Sequence, residues 1–461
     1  MYSRSPMHHK PMLAPDFSAR LAYRMLAVFL VLLWFTGGAS RADVLGQSFS
    51  RFFAWAFLIG FVVLSARLNW RAMAPIAIFL GLAVFLVLIQ LVPLPPAIWT
   101  SLPGRELLTG IAEVSGQAQA WRPLSLSPSA TANSLGSLIV PVTALVLVAN
   151  LTREQHWRIG WLLLGLIFGG CILALLQLSG AQFRSPLINY VAGAISGNFA
   201  NRNHLALFVA FGCLMAPILG FGRDRMVRWK AGVTIALLPV FLLVILATGS
   251  RTGLVLGSVG LLFGLFAVRS NIVRELKSLP RKAAIALAAG SVLSLVAIVA
   301  AAITLGRAAG LERVMNSQVG DDLRSQSLPY VIDAVMRYFP VGSGFGTFDP
   351  VYRMIEPDSL LQPQYFNHAH NDWLEVILDG GMAGAALLVA AVGWWLLTSW
   401  RAWKDGQSRL AIMGSGALLL VMIASVPDYP ARTPMIMAVM VIAAVWLRSA
   451  FGRKADAIER Q

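Results

Sequence analysis

The stretch His204-Leu-Ala-Leu-Phe-Val-Ala-Phe-Gly-Cys-Leu-Met-Ala-Pro-Ile-Leu-Gly-Phe221 decides the fold class, because past His204 it is apolar on every face of a helix. A helix of that kind must be buried in a large core or in lipid. Working outward, similar runs recur near 22–38, 52–66, 73–92, 135–150, 159–179, 232–248, 253–268, 283–305, 382–400, 409–426 and 435–450. Apolar runs of about 16–22 residues can cross a hydrocarbon core as helices. Backbone polar groups cannot stay unpaired in lipid, so these runs must be helical. A membrane β-barrel would alternate apolar and polar residues instead, and these runs do not. Of 461 residues, 57% are hydrophobic and 13% charged, with a mean hydropathy of +0.70. A soluble chain carries roughly twice that charged fraction. The sequence predicts an all-α integral membrane protein with about twelve transmembrane helices and a long polar loop between the ninth and tenth.

The connectors alternate in charge. Arg67 and Arg71, Arg153 and Arg158, Arg223 to Lys230, Arg269 to Lys282, and Arg401 to Arg409 fall on one side. The other side holds Arg41, Arg51, Arg184, Arg202, Arg251 and Arg432. Basic connectors stay in the cytoplasm, so both termini are expected there. The formal net charge of +16 is spread over these connectors rather than gathered on one arm, which fits topology control and not a nucleic-acid partner. The first apolar run follows a basic segment but lacks a clear small-residue cleavage site, and reads as a retained helix. Cys171 and Cys213 lie inside apolar runs and read as small core hydrophobes, with no disulfide framework or zinc spacing.

The chain then divides into a tail (1–21), spans one to nine (22–305) and an outer loop near 93–134 within them. There follow a large outer loop (306–381) ending in a short membrane-surface helix, spans ten to twelve (382–450) and a tail (451–461). Loops as long as 306–381 commonly carry function. No internal repeat is visible, which disfavours a transporter built from inverted repeats.

Basic residues kept on the outer side need a reason. Arg202 lies in Gly197-Asn-Phe-Ala-Asn-Arg-Asn-His204 and Arg251 in Ala247-Thr-Gly-Ser-Arg-Thr-Gly253. Each is either a snorkelling anchor or a phosphate clamp, since the guanidinium fork pairs with phosphate oxygens. Their neighbours Asn201, Asn203, His204 and Ser250 supply polar groups, and helix starts near His204 and Thr252 would favour an anion. In Asn367-His-Ala-His-Asn-Asp-Trp-Leu-Glu375, Asp372 and Glu375 resemble a capping box that starts a helix. His368, His370 and Asn371 then precede it, and Gly380-Gly381 would break it. Three readings fit the histidines: a general base, a metal site completed by Asp372 and Glu375, or hydrogen-bonded loop residues with no chemistry. Gly342-Ser-Gly-Phe-Gly346 reads as a turn. Asp428, Tyr429 and Arg432 either join the site or form an ordinary Pro-rich turn.

These motifs, in this order, resemble the O-antigen ligase and O-antigen polymerase superfamily. Trp121-Arg-Pro-Leu-Ser-Leu-Ser-Pro-Ser-Ala-Thr131 and Pro340-Val-Gly-Ser-Gly-Phe-Gly-Thr-Phe348 are also similar to that family, so the likeness runs over about 90–430. The resemblance implies a metal-independent glycosyltransferase of the bacterial inner membrane, without a cofactor, working at the periplasmic face. Its donor would be a glycan on polyprenyl diphosphate, such as undecaprenyl diphosphate. Its acceptor would be lipid A–core in a ligase, or another carrier-linked glycan in a polymerase. By the same resemblance His370 is catalytic, Arg202 and Arg251 bind the diphosphate, and Arg324, His368 and Asn371 support them. A secondary transporter would instead carry ionisable groups near mid-membrane, whereas these spans are almost free of charge.

Overall fold

The computed structural model describes residues 15–65, 69–181, 185–190, 193–222, 228–278, 290, 319–361, 366–405 and 408–448. Expectations for the terminal tails up to 14 and from 449, for all but residue 290 of the ninth span (283–305), and for Arg67, Arg184, Arg223, Arg225, Arg281 and Lys282 lie outside these residues.

The described chain is helical apart from one small antiparallel pair. Helices α1 (Pro15–Thr36), α2 (Leu45–Leu64) and α3 (Trp70–Ile89) come first. The outer loop then carries β1 (Pro93–Leu94), the short helices α4 (Pro96–Trp99) and α5 (Glu106–Val114), and β2 (Arg122–Pro123). Pro93 pairs with Pro123 and Leu94 with Arg122, which closes that loop into a unit. Next come α6 (Pro128–Ser137), α7 (Ile139–Val148), α8 (Arg153–Leu178), α9 (Arg202–Phe221), α10 (Arg228–Thr248) and α11 (Arg251–Ser278). The fourth span is thus helical from Pro128, earlier than the expected 135, because Pro128 opens α6 at a position where no backbone N–H is needed. The large loop is helical too, with α12 (Val319–Tyr338) and α13 (Phe348–Arg353). Helices α14 (Asp372–Asp405), α15 (Arg409–Ala424) and α16 (Pro434–Arg448) complete the chain.

Among the described residues, eight helices are long and apolar enough to cross a membrane, and three shorter ones are apolar. Helix α9, the stretch that opened the sequence reading, is the buried axis of the bundle: 94% of its apolar window is inside. Helices α8, α10, α11 and α15 pack around it. The closest approach is by α11, where Gly260 and Gly264 face α9. A Cβ at these positions would lie 2.7 Å from the Ala210 carbonyl and 2.6 Å from that of Leu214, so only hydrogen lets the backbones meet.

The large loop and the start of α14 have their own small core of Val331, Tyr338, Phe348, Tyr352 and Leu378. A glycine turn clasps this unit to α14 and to the end of α3. Gly342, Gly344 and Gly346 all have positive φ (90°, 108° and 81°), which is left-handed backbone open to glycine. Ser343 and Gly344 donate backbone N–H groups to the carbonyls of Leu378 (2.9 Å) and Asp379 (3.0 Å), and Phe345 donates to Gln90 Oε1 (2.9 Å). Buried Arg105 adds bonds to the carbonyls of Leu124 (2.7 Å) and Gly342 (3.1 Å). These contacts fix the outer end of α14, on which half of the site is built.

Candidate functional site

Polar residues that are far apart in sequence meet where α9, α12 and α14 end beside the turn between α15 and α16. Asn201 caps α9, its Oδ1 accepting the Asn203 N–H at 2.8 Å. The cap leaves the amide groups of Asn201 and Asn203 free to donate to the Asp428 carboxylate, at 3.0 Å and 2.6 Å. The His204 ring stands on the same carboxylate, with Nε2 3.7 Å from Asp428 Oδ1, while Nδ1 meets Thr433 Oγ1 at 3.1 Å. His370 approaches from the other side, its Nδ1 3.4 Å from Asp428 Oδ1, which is long for a hydrogen bond.

Asp428 is therefore a buried acid surrounded by donors. Burial alone would raise its pKa, but the imidazoles of His204 and His370, helped by Arg324, hold it well below the usual carboxylate range. For His370, burial lowers the pKa below the ordinary imidazole value; Asp428 opposes the shift and Arg324 adds to it. Burial thus favours the neutral ring, the form that can accept a proton. Among the described residues, His370 is also the non-glycine residue with positive φ (48°). Such backbone is uncommon outside glycine and persists where the surroundings impose it.

A second cluster lies next to the first, and its sign pattern is reversed. Arg432 meets three carboxylates, those of Asp372 (3.4 Å), Glu375 (3.2 Å) and Asp379 (3.6 Å). Burial works against its charge, but Glu375, Asp379 and Asp372 hold the guanidinium protonated, above the ordinary arginine value. Each carboxylate is also held elsewhere. Asp372 accepts from Ser425 Oγ (3.0 Å) and the Ala431 N–H (3.1 Å). Glu375 takes His368 Nδ1 (2.9 Å) and the Ala369 N–H (2.8 Å), and Asp379 takes the Gly346 N–H (3.0 Å). The Tyr429 ring lies between the clusters, 4.4 Å from the His368 ring and 4.8 Å from that of His370.

Several expectations are corrected or refined by this geometry. Helix α14 is capped by Asn371, whose Oδ1 accepts the Leu374 N–H (3.0 Å), and not by an Asp372–Glu375 box. The two acids turn inward to Arg432 instead, since a buried guanidinium outcompetes a backbone N–H for a carboxylate. The two histidines do not converge on one point, because each faces a different carboxylate. Among the described residues, no group of three or more His, Cys, Asp or Glu is arranged to hold a metal ion. Helices α9 and α11 begin at Arg202 and Arg251, within two residues of the starts expected near His204 and Thr252, so both arginines stand in a first helical turn. Ser250 is buried and accepts the Gly253 N–H (2.9 Å), serving the start of α11. Arg324, on α12, reaches the Pro427 carbonyl at 3.4 Å, beside Asp428. Asp428, Tyr429 and Arg432 all stand in these two clusters, beside the candidate residues. Asp379 and Thr433 join it without having been singled out in the sequence; an acid just ahead of a glycine pair in an apolar segment was the available signal for Asp379.

His368, Asp372 and Arg432 also line a cavity of about 1050 Å³ that runs down between α2, α3, α14, α15 and α16. In comparison with known families, residues 235–389 fit a family described as O-antigen ligase. The matched segment contains Arg251, Arg324, His368 and His370, and it supports membership of the O-antigen ligase superfamily, as the order of the motifs implied. No curated protein matches the chain.

Proposed function

We propose, from the O-antigen ligase match and the histidine–aspartate geometry, that this protein transfers a glycan from polyprenyl diphosphate to an acceptor hydroxyl as an O-antigen ligase. The reading places it in the bacterial inner membrane with the site at the periplasmic face. The observation that carries it is His370, held in left-handed backbone with Nδ1 turned to the buried Asp428 carboxylate. That contact orients the ring and leaves Nε2 as the nitrogen able to take a proton.

In the reaction, His370 Nε2 takes the acceptor's hydroxyl proton as the oxygen attacks the anomeric carbon of the donor sugar. The new C–O bond forms while the bond from that carbon to the phosphate oxygen breaks. Polyprenyl diphosphate leaves with the electron pair, and Asp428 stabilises the imidazolium that forms. Arg202 and Arg251 serve the leaving group, because negative charge grows on its oxygens and fixed guanidinium groups lower that cost without reorganisation. Their positions in the first turns of α9 and α11 set each guanidinium beside the positive end of a helix, so the two act together on an anion.

The test is a gel of surface polysaccharide from a deletion strain complemented with wild type or His370→Ala. Ligase function predicts lipid A–core without attached glycan and long carrier-linked chains accumulating in the variant, with protein level and melting temperature retained. Single capped repeats, or loss of a secreted polymer with lipid A unaffected, would make it a polymerase. Full transfer by the variant would remove His370 from the mechanism.

A further inference from the structure

The cavity beside the Arg432 cluster has a composition that the transfer chemistry does not use. Its walls are hydrocarbon, including Phe79 and Leu80 of α3, Leu388 and Val392 of α14, and Met437 and Met440 of α16. From the break in α14 at Gly381 to Trp395 at the far end is roughly 20 Å at the rise of a helix. Its volume, about 1050 Å³, lies at the upper end of the roughly 300–1,000 Å³ of ordinary small-ligand sites. The outer mouth is polar, with serines and Asn133 from α6 and its approach.

Three arginines line it, and they differ in charge balance. Arg432 is met by three carboxylates, and Arg41 pairs with Asp43. Arg51, on the first half of α2, has no carboxylate within ion-pair distance among the described residues. Its Nη1 donates to Asn133 Oδ1 at 2.8 Å, and its buried Nε has no hydrogen-bond partner. A guanidinium left unmatched over an apolar shaft complements an amphiphile with an anionic head. No residue of α9 or α11 lines the cavity, so it opens on the His368 face of the site, away from the helices that carry Arg202 and Arg251.

We propose that this cavity is a second lipid site, holding the apolar chains of a phosphorylated glycolipid acceptor while Arg51 binds its phosphate. The row His368–Tyr429–His370 then separates it from the donor side. The word acceptor rests on the transfer reading; the lipid site itself does not.

The experiment uses the full chain in phosphatidylcholine nanodiscs, with retained lipid counted by native mass spectrometry. The probes are diphosphorylated lipid A, its dephosphorylated form and undecaprenyl diphosphate. Wild type should retain diphosphorylated lipid A over the dephosphorylated form. Arg51→Gln should cut that retention about tenfold and leave undecaprenyl diphosphate unchanged, the size expected for one charge-assisted contact. Val392→Trp, which fills the shaft, should reduce both forms of lipid A. Loss of undecaprenyl diphosphate with Arg51→Gln would make the cavity the donor's and overturn the proposal. Equal retention of the two lipid A forms by wild type, or no effect of Val392→Trp, would overturn it as well. Because binding needs no turnover, intact lipid binding without any transfer would sink the transfer reading and leave this site standing.

Discussion

The two polar clusters share a wall of aromatic rings and are built on opposite plans. Around Asp428, one carboxylate is served by two amides and two imidazoles, and the contact to His370 is left long at 3.4 Å. Around Arg432, one guanidinium is ringed by three carboxylates, each fixed again by a hydroxyl, an imidazole or a backbone N–H. The first arrangement holds its amides closely and both imidazoles at longer range, as suits a ring that must exchange a proton and tighten on substrate. In the second each carboxylate is held twice, although Arg432 Nε and Asp379 Oδ1 have no hydrogen-bond partner, and the cluster joins α14, the glycine turn and the turn before α16. On the proposed reading, chemistry belongs to the Asp428 cluster and holding to the Arg432 cluster.

That division can be broken from the holding side. Arg432→Gln should leave three carboxylates facing one another in a buried place, and removing one partner of such a set costs about 3–5 kcal/mol. The expected result is a large fall in melting temperature and in protein recovered from membranes, read by a thermal-shift assay in detergent. A variant that melts like wild type but has lost transfer would move Arg432 to the chemical side. A smaller effect is expected at the clasp. Gly342→Ala forces a side chain into left-handed backbone and sets its Cβ 2.6 Å from the Asp379 carbonyl. Strain of that kind costs about 1–3 kcal/mol. Stability should drop by that amount, with the pH dependence of any transfer by the folded fraction unchanged.

The membrane class was legible in the sequence because lipid imposes a local rule: each span must be apolar along its own length. The segment His204–Phe221 announced itself in that way, and so did the glycine pair at which α14 breaks, with Gly381 at φ 57°. Arg202, Arg251 and His370 stood out because polar residues at span ends are few. Pairing between elements was not legible. Nothing near Asp428 in the chain says that its partners are Asn201, Asn203, His204 and His370, and Asp372 and Glu375 resembled a cap because only the helix start is visible locally. The cavity was invisible for the same reason, since its walls come from helices scattered between residues 40 and 444.

The most direct test of the division is the pH–rate profile of transfer in a single turnover, for purified wild type and Asp428→Asn. Burial lowers the pKa of His370 below the ordinary imidazole value, so the acid limb of wild type should lie below that value. Asp428 favours the protonated ring, so its removal lowers that pKa further. The acid limb of Asp428→Asn should therefore move to lower pH, while its plateau falls for want of a group to orient and stabilise the imidazolium. An acid limb that stays in place in Asp428→Asn, or moves upward, would contradict the assignment of His370 and Asp428 as the pair that handles the proton.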